Sequence, residues 1–184
     1  MLDDYGFEIY EENAFPIAYL LTFRTFGTWL HGDQRGSYSR PQRHRSKYIS
    51  SNVPLREKME KEIKQEVVIL NHHERTLVHE AIVEVCQPRA YDLRALNVRS
   101  NHAHAVVSKS IKPEKIVNDF KGYATRRLRS EGYYLPDSKV WSRGASTRYL
   151  WKPRHVEAAI DYVLYSQGDI PFEIVTEVPD DEFE

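Results

Sequence analysis

The chain has 184 residues, 41% of them hydrophobic, which suits one core rather than several domains. Its single cysteine, Cys86, excludes an internal disulfide and any multi-cysteine zinc site, and fits the reducing cytoplasm. No apolar run approaches the roughly 20 residues that a membrane-spanning helix needs, and the acidic start Met1-Leu2-Asp3-Asp4 is unlike a signal peptide.

The formal net charge of −1 hides an asymmetry. Residues 1–13 hold five acids and residues 169–184 hold seven, with no Lys or Arg in either segment. Residues 14–168 carry 26 bases against 15 acids. The chain thus reads as an acidic leader (1–13), one folded domain (14–168) and an acidic tail (169–184). A basic middle between acidic ends suggests a polyanionic partner; chance clustering of ordinary surface charge is the alternative.

In chain order, Ile17 to Phe26 is rich in aromatic and branched residues and predicts a strand, with Arg24 set among threonines. Residues 33–52 form a long polar loop holding Arg35, Arg40, Arg43, Arg45 and Lys47, either a phosphate-tracking segment or a solvated loop. Residues 55–66 predict a charged helix with Leu55, Met59 and Ile63 at four-residue spacing. Residues 73–86 predict a second helix, with its pattern ended by Pro88. His72, His73 and His79 near its start do not share a helical face cleanly.

Tyr91 to Val98 predicts a strand, and 102–109 a second one, joined by a short polar break that favours a hairpin. In the second strand His102 and His104 alternate with Ala103 and Ala105. Side chains at i and i+2 share a face, so the two imidazoles project side by side. They form either half of a metal site or two unrelated histidines on a half-exposed strand.

Pro113 and Glu114 open a helix that runs to about Ser130, with Gly132 as its stop. Lys121, Arg126, Arg127 and Arg129 crowd its last turns, more cations than capping needs. Val140 to Trp151 predicts a strand or extended arm that mixes aromatics with arginines, among them Trp141, Arg143 and Arg148. That mix suits phosphate contacts and base stacking, or an ordinary amphipathic strand. Pro153 opens a final helix ending at Gly168, with Val156, Ile160 and Val163 as its apolar stripe. Tyr162 lies about 100° from Val163, at the stripe's edge. Gln167 falls on the Ile160 direction, where it either meets a partner or caps the helix end. The whole order predicts an α+β layout, an antiparallel sheet with helices packed against it.

Asn101-His102-Ala103-His104 resembles the His-hydrophobic-His motif of the single-strand tyrosine transposases and their relatives, the HUH nucleases. The branch associated with repetitive extragenic palindromes is the most similar. The resemblance spans about residues 17–168. It includes Leu21-Thr22-Phe23-Arg24, Lys121 to Leu128, Trp141-Ser142-Arg143-Gly144 and Tyr162 to Gln167. It implies a ferredoxin-like, HUH endonuclease-like fold and metal-dependent cutting and rejoining of single-stranded DNA beside hairpins. Tyr162 would be the nucleophile, and His102 and His104 would bind a divalent metal, Mg²⁺ or Mn²⁺. The better-known members place a glutamine four residues after the tyrosine; here Ser166 stands there and Gln167 follows, and Gln167 is the better ligand. Arg24, Lys121, Arg126, Arg127, Arg129, Trp141, Arg143 and Arg148 would contact DNA. A homodimer is an arrangement found among relatives. A non-catalytic hairpin-binding protein and a replication-initiator or relaxase-type nickase are the alternatives.

Overall fold

A computed structural model describes residues 14–34, 37–38, 48–63 and 65–166. The acidic leader and tail, Gln167, and the arginines of the 39–47 segment lie outside the described residues. The main sheet has four strands: β1 (Ala18–Arg24), β4 (Asp92–Val98), β5 (His102–Ser108) and β6 (Ser146–Leu150). Two short strands, β2 (Ser37–Tyr38) and β3 (Tyr48–Ile49), pair within the polar loop. The helices are α1 (Val53–Glu62), α2 (His72–Arg89), α3 (Pro113–Ser130) and α4 (Pro153–Tyr165).

Spatial order in the sheet is β4-β5-β1-β6, and every pairing is antiparallel. The succession β1-α2-β4-β5-α3-β6 with this order is the ferredoxin-like arrangement, two βαβ halves interleaved. Its two crossover helices lie on the same face of the sheet.

That face carries the main core. Tyr19, Leu21 and Phe23 of β1, Val98 of β4, and Ala103, Ala105 and Val107 of β5 meet Val78, Ile82 and Val85 of α2 and Ile116, Phe120 and Leu128 of α3. The alternation of each strand sends the remaining side chains to the opposite face. There α4 covers a smaller cluster: Ala18, Leu20, Ala95, Val106 and Leu150 beneath Val156, Ala159 and Val163. Among the described residues no helix is long and apolar enough to cross a membrane.

Four expectations shift. The first helix spans Val53–Glu62 and ends before an extended Ile63, rather than covering 55–66. The second helix continues through Pro88 to Arg89 instead of stopping before it. Proline's missing N–H costs one bond to Glu84, which lies on the exposed side of the helix. The helix then closes at Ala90, which adopts φ 50° and donates to Cys86 O and Gln87 O. The segment 140–151 is not one strand: Trp141 makes a single bridge to Thr25, and the ladder resumes only at Ser146. Gly144, at φ 80°, turns the chain between them. The last helix ends at Tyr165, three residues short of Gly168.

Candidate active site and nucleic-acid surface

The α4 face of β5 presents His102, His104 and Val106, because Ala103, Ala105 and Val107 point into the main core. The alanines join the main core on one side while the imidazoles stand on the other. His104 is 5% exposed and sits between Thr22 of β1 and Asn97 of β4 as cross-strand partners. His102 stands opposite Arg24. The two imidazole centroids are 4.6 Å apart at 82°.

Each imidazole is oriented through Nδ1. His104 Nδ1 is 2.7 Å from Thr22 Oγ1. His102 Nδ1 is 2.5 Å from Asn101 Oδ1. An amide oxygen only accepts, so the His102 Nδ1 carries the proton and the lone pair of the neutral ring lies on Nε2. Such outer partners fix ring orientation in metal-binding histidines.

Tyr162 comes to this pair from α4. Val156, Ala159 and Val163 turn one side of α4 onto the sheet, which leaves Tyr162 at the flank, 42% exposed. Its ring centroid is 5.6 Å from that of His104, edge-on at 76°. His102, His104 and Tyr162 thus form a continuous row of rings built by two elements 58 residues apart in sequence. Tyr165 is 71% exposed and makes no such contact with the histidines.

Among the described residues no group of three or more His, Cys, Asp or Glu could hold a metal ion. Two imidazoles on one face, each held through Nδ1, are a donor set suited to a divalent ion whose other ligands are oxygens. Ser166 follows α4 as its cap residue, its N–H donating to Tyr162 O.

The sequence-predicted DNA contacts divide between two surfaces. Arg24 and Arg148 lie on the histidine face, as Arg24 pairs with His102 and Arg148 follows the alternation of Leu150. The Arg24 guanidinium sits 3.6 Å above the Trp29 ring. Lys121, Arg126, Arg129, Trp141 and Arg143 line a cleft of about 560 Å³ between α3 and the 137–144 segment, together with Lys139 and Asn118, which sequence reading missed. This cleft lies on the α3 side, since Trp141 packs edge-on against Phe23 of the main core at 5.2 Å. The Arg126 guanidinium lies 4.3 Å over Tyr123.

Lys121 also has a structural task. Its Nζ donates to Ser142 O at 2.8 Å and to Gly144 O, tying the 142–144 turn to α3. Burial lowers its pKa to about 8 by disfavouring the charged form. Arg129 likewise donates to Ser138 O at 3.0 Å. Arg127 faces elsewhere and pairs with Glu80 and Glu84 of α2. Of the histidines near the start of α2, His73 meets the Tyr133 ring at 5.8 Å, and burial lowers the pKa of His79.

Thr22, Asn97 and Asn101 also belong to this face, although only the alternation of β1 and the polar Asn near the end of β4 hinted at it. A comparison with curated proteins finds no match. Among solved structures, one similar chain is a REP-associated tyrosine transposase bound to a REP hairpin: 11% identity, 86% of this chain and 71% of that one covered, TM-score 0.45. Another is a Deinococcus radiodurans R1 protein assigned as a transposase: 14% identity, 87% and 97% covered, TM-score 0.45. The sequence profile described as "Transposase IS200 like" matches residues 61–163, more than half of the chain and a span that includes the histidine strand, the cleft and Tyr162. The chain belongs to the IS200-like transposase family.

Proposed function

We propose that this protein cuts and rejoins single-stranded DNA through a covalent tyrosine link, at sites flanked by hairpins. The observation that carries the reading is the row His102–His104–Tyr162 on one sheet face, with ring centroids 4.6 and 5.6 Å apart. A tyrosine hydroxyl beside two imidazoles that could hold a cation supports phosphoryl transfer to that tyrosine.

Tyr162 Oη attacks the scissile phosphorus, and the bond from phosphorus to the 3′ oxygen breaks. The hydroxyl proton is lost, the departing 3′ oxygen takes one up, and the 5′ phosphate stays on Tyr162. The phosphodiester energy is kept in that link for rejoining. His102 and His104 would hold a divalent cation, Mg²⁺ or Mn²⁺, with Gln167 as the proposed third protein ligand. Bound there, the cation would polarise a phosphate oxygen and offset charge as the bond breaks. Thr22 and Asn101 keep the two rings aimed. Arg24 and Arg148 supply positive charge on the same face for phosphates beside the cut.

The cleft on the α3 side is the proposed seat for the backbone of a flanking hairpin. Arg126, Arg129, Lys139 and Arg143 offer cations to phosphates, and Trp141 offers an aromatic surface at its wall. Arg127, already paired with two glutamates, has the smallest part in DNA contact.

The test is incubation of the protein with single-stranded, hairpin-bearing oligonucleotides and Mn²⁺, followed by denaturing electrophoresis and peptide mapping. The expected result is a covalent adduct on Tyr162, lost in Tyr162→Phe and kept in Tyr165→Phe. Hairpin binding without any adduct would favour the non-catalytic binding protein, and an adduct on Tyr165 would overturn the nucleophile assignment.

A further inference from the structure

Asn97 is a polar side chain at the buried end of β4, 2% exposed beneath α4. It faces α4 because it pairs with His104 across the ladder, two residues along from Ala95 of the smaller core. Its Nδ2 donates to Val163 O at 2.8 Å. Its Oδ1 is buried with no hydrogen-bond partner. Half of this amide is therefore used and half is left at a cost, which a position serving packing alone would avoid by being apolar.

The used half ties the last turn of α4 to β4. The N-cap residue, Lys152, makes no side-chain capping bond, and the last turn carries no basic residue. The apolar side of the helix, Val156, Ala159 and Val163, meets Ala18, Leu20, Ala95, Val106 and Leu150. Apolar contact of this kind is non-directional and constrains sliding or rotation weakly. Val163 lies in the last turn of α4, which ends at Tyr165. The residue before it is Tyr162, whose ring sits 5.6 Å from His104, the cross-strand neighbour of Asn97 itself.

We propose that Asn97 is a positioning residue: it clamps the last turn of α4 to the sheet and so sets the distance between Tyr162 and the histidine pair. The proposal rests on the reading of Tyr162 as the nucleophile. A slip of one residue along α4 moves the tyrosine by about 1.5 Å, and a misplacement of about 1 Å can lower a rate on the order of 100-fold.

The test compares the full chain with Asn97→Val and Asn97→Gln. Valine favours strands and removes the unpartnered oxygen, so the fold should persist. Glutamine keeps the donor one methylene further out, and carries the test should the valine variant fail to fold. In Asn97→Val, the amides of Leu164, Tyr165 and Ser166 should exchange with deuterium at least about tenfold faster. Adduct formation at saturating hairpin DNA should slow by about 10- to 100-fold. The DNA concentration for half-saturation and the Mn²⁺ affinity should stay as in the parent. Asn97→Gln should recover part of the rate. Unchanged exchange overturns the clamp. Faster exchange with an unchanged adduct rate overturns the positioning role, as does a loss confined to DNA affinity. A parent chain that forms no adduct sinks the nucleophile reading instead, and exchange in the last turn of α4 then decides the clamp by itself.

Discussion

The two faces of the sheet divide the work of the molecule. The face under α2 and α3 is thick and apolar, with Tyr19, Phe23, Ile82, Phe120 and Leu128 all at most 1% exposed. The face under α4 has a small apolar patch at one end and Thr22, Arg24, Asn97, His102 and His104 at the other. Among the described residues Asn97 and His104 of this face are buried, while Thr22, Arg24 and His102 are half-buried. Neighbours orient these polar groups, while rigidity comes from the other side. The cleft lined by Arg126, Arg129 and Arg143 is near the same end of β1, since the 137–144 segment bonds to Arg24 O, Thr25 O and Phe26 N. A bound strand could thus pass around the end of the sheet from one surface to the other.

The strongest way to break this division is at the histidines. His104→Ala should abolish adduct formation and weaken Mn²⁺ affinity by at least about tenfold, given the size of losses at metal-ligand and outer-partner positions. Hairpin affinity should be largely kept, because the cleft belongs to the other surface. Calorimetry with Mn²⁺ and a binding assay on a short hairpin measure the two effects; unchanged Mn²⁺ affinity in both His102→Ala and His104→Ala would refute the metal site.

Phe120→Ala should act on the opposite side of the comparison. It removes a fully buried ring from the thick core, and a loss of roughly 3–5 kcal/mol in stability is expected. Urea titration followed by circular dichroism reads this directly. The residual folded protein should still form the adduct, since Phe120 makes no contact with the histidine face.

A smaller effect separates two adjacent arginines. Arg126→Ala should lower the slope of log affinity against log salt by roughly one if the side chain meets a phosphate. Arg127→Ala should leave the slope unchanged, because Glu80 and Glu84 already hold that guanidinium. Equal slopes for both variants would place the DNA elsewhere.

The least of the expected effects concerns Lys121. Its pKa is lowered to about 8 by burial, from the ordinary 10.5. Between these values the unfolded chain keeps the proton and the folded chain loses it, so this group makes stability rise as pH rises through that window. Below pH 8 its penalty is fully present. Urea midpoints at about pH 7.5 and about pH 9.5, on either side of the folded-state pKa of about 8, should therefore diverge less in Lys121→Met than in the parent. Identical pH dependence in the two proteins would count against a desolvated lysine.

The sequence alone determined the elements and their faces. The aromatic and branched composition of Ile17–Phe26, the alternation in 102–109, and the three- and four-residue spacing of Val156, Ile160 and Val163 reflect local properties that each segment carries by itself. The same locality made the His102 and His104 pairing legible, since i and i+2 on a strand share a face wherever the strand lies. Pro88 misled because its cost depends on whether Glu84 O faces solvent, which is not a local property. The 140–151 segment misled because its aromatics suit a strand, whereas its pairing is interrupted around Gly144.

Only the tertiary structure decided which side chains meet across long separations. It brings Tyr162 beside His104, puts Thr22 on the His104 Nδ1, and joins Asn97 to Val163. It also split the predicted DNA contacts into two surfaces and gave Arg127 to α2. A charge pattern along a helix shows that cations are crowded, but each one's partner depends on what packs against that turn. The order β4-β5-β1-β6 sets those neighbours, and sheet order arises from non-local pairing that no single stretch of residues encodes.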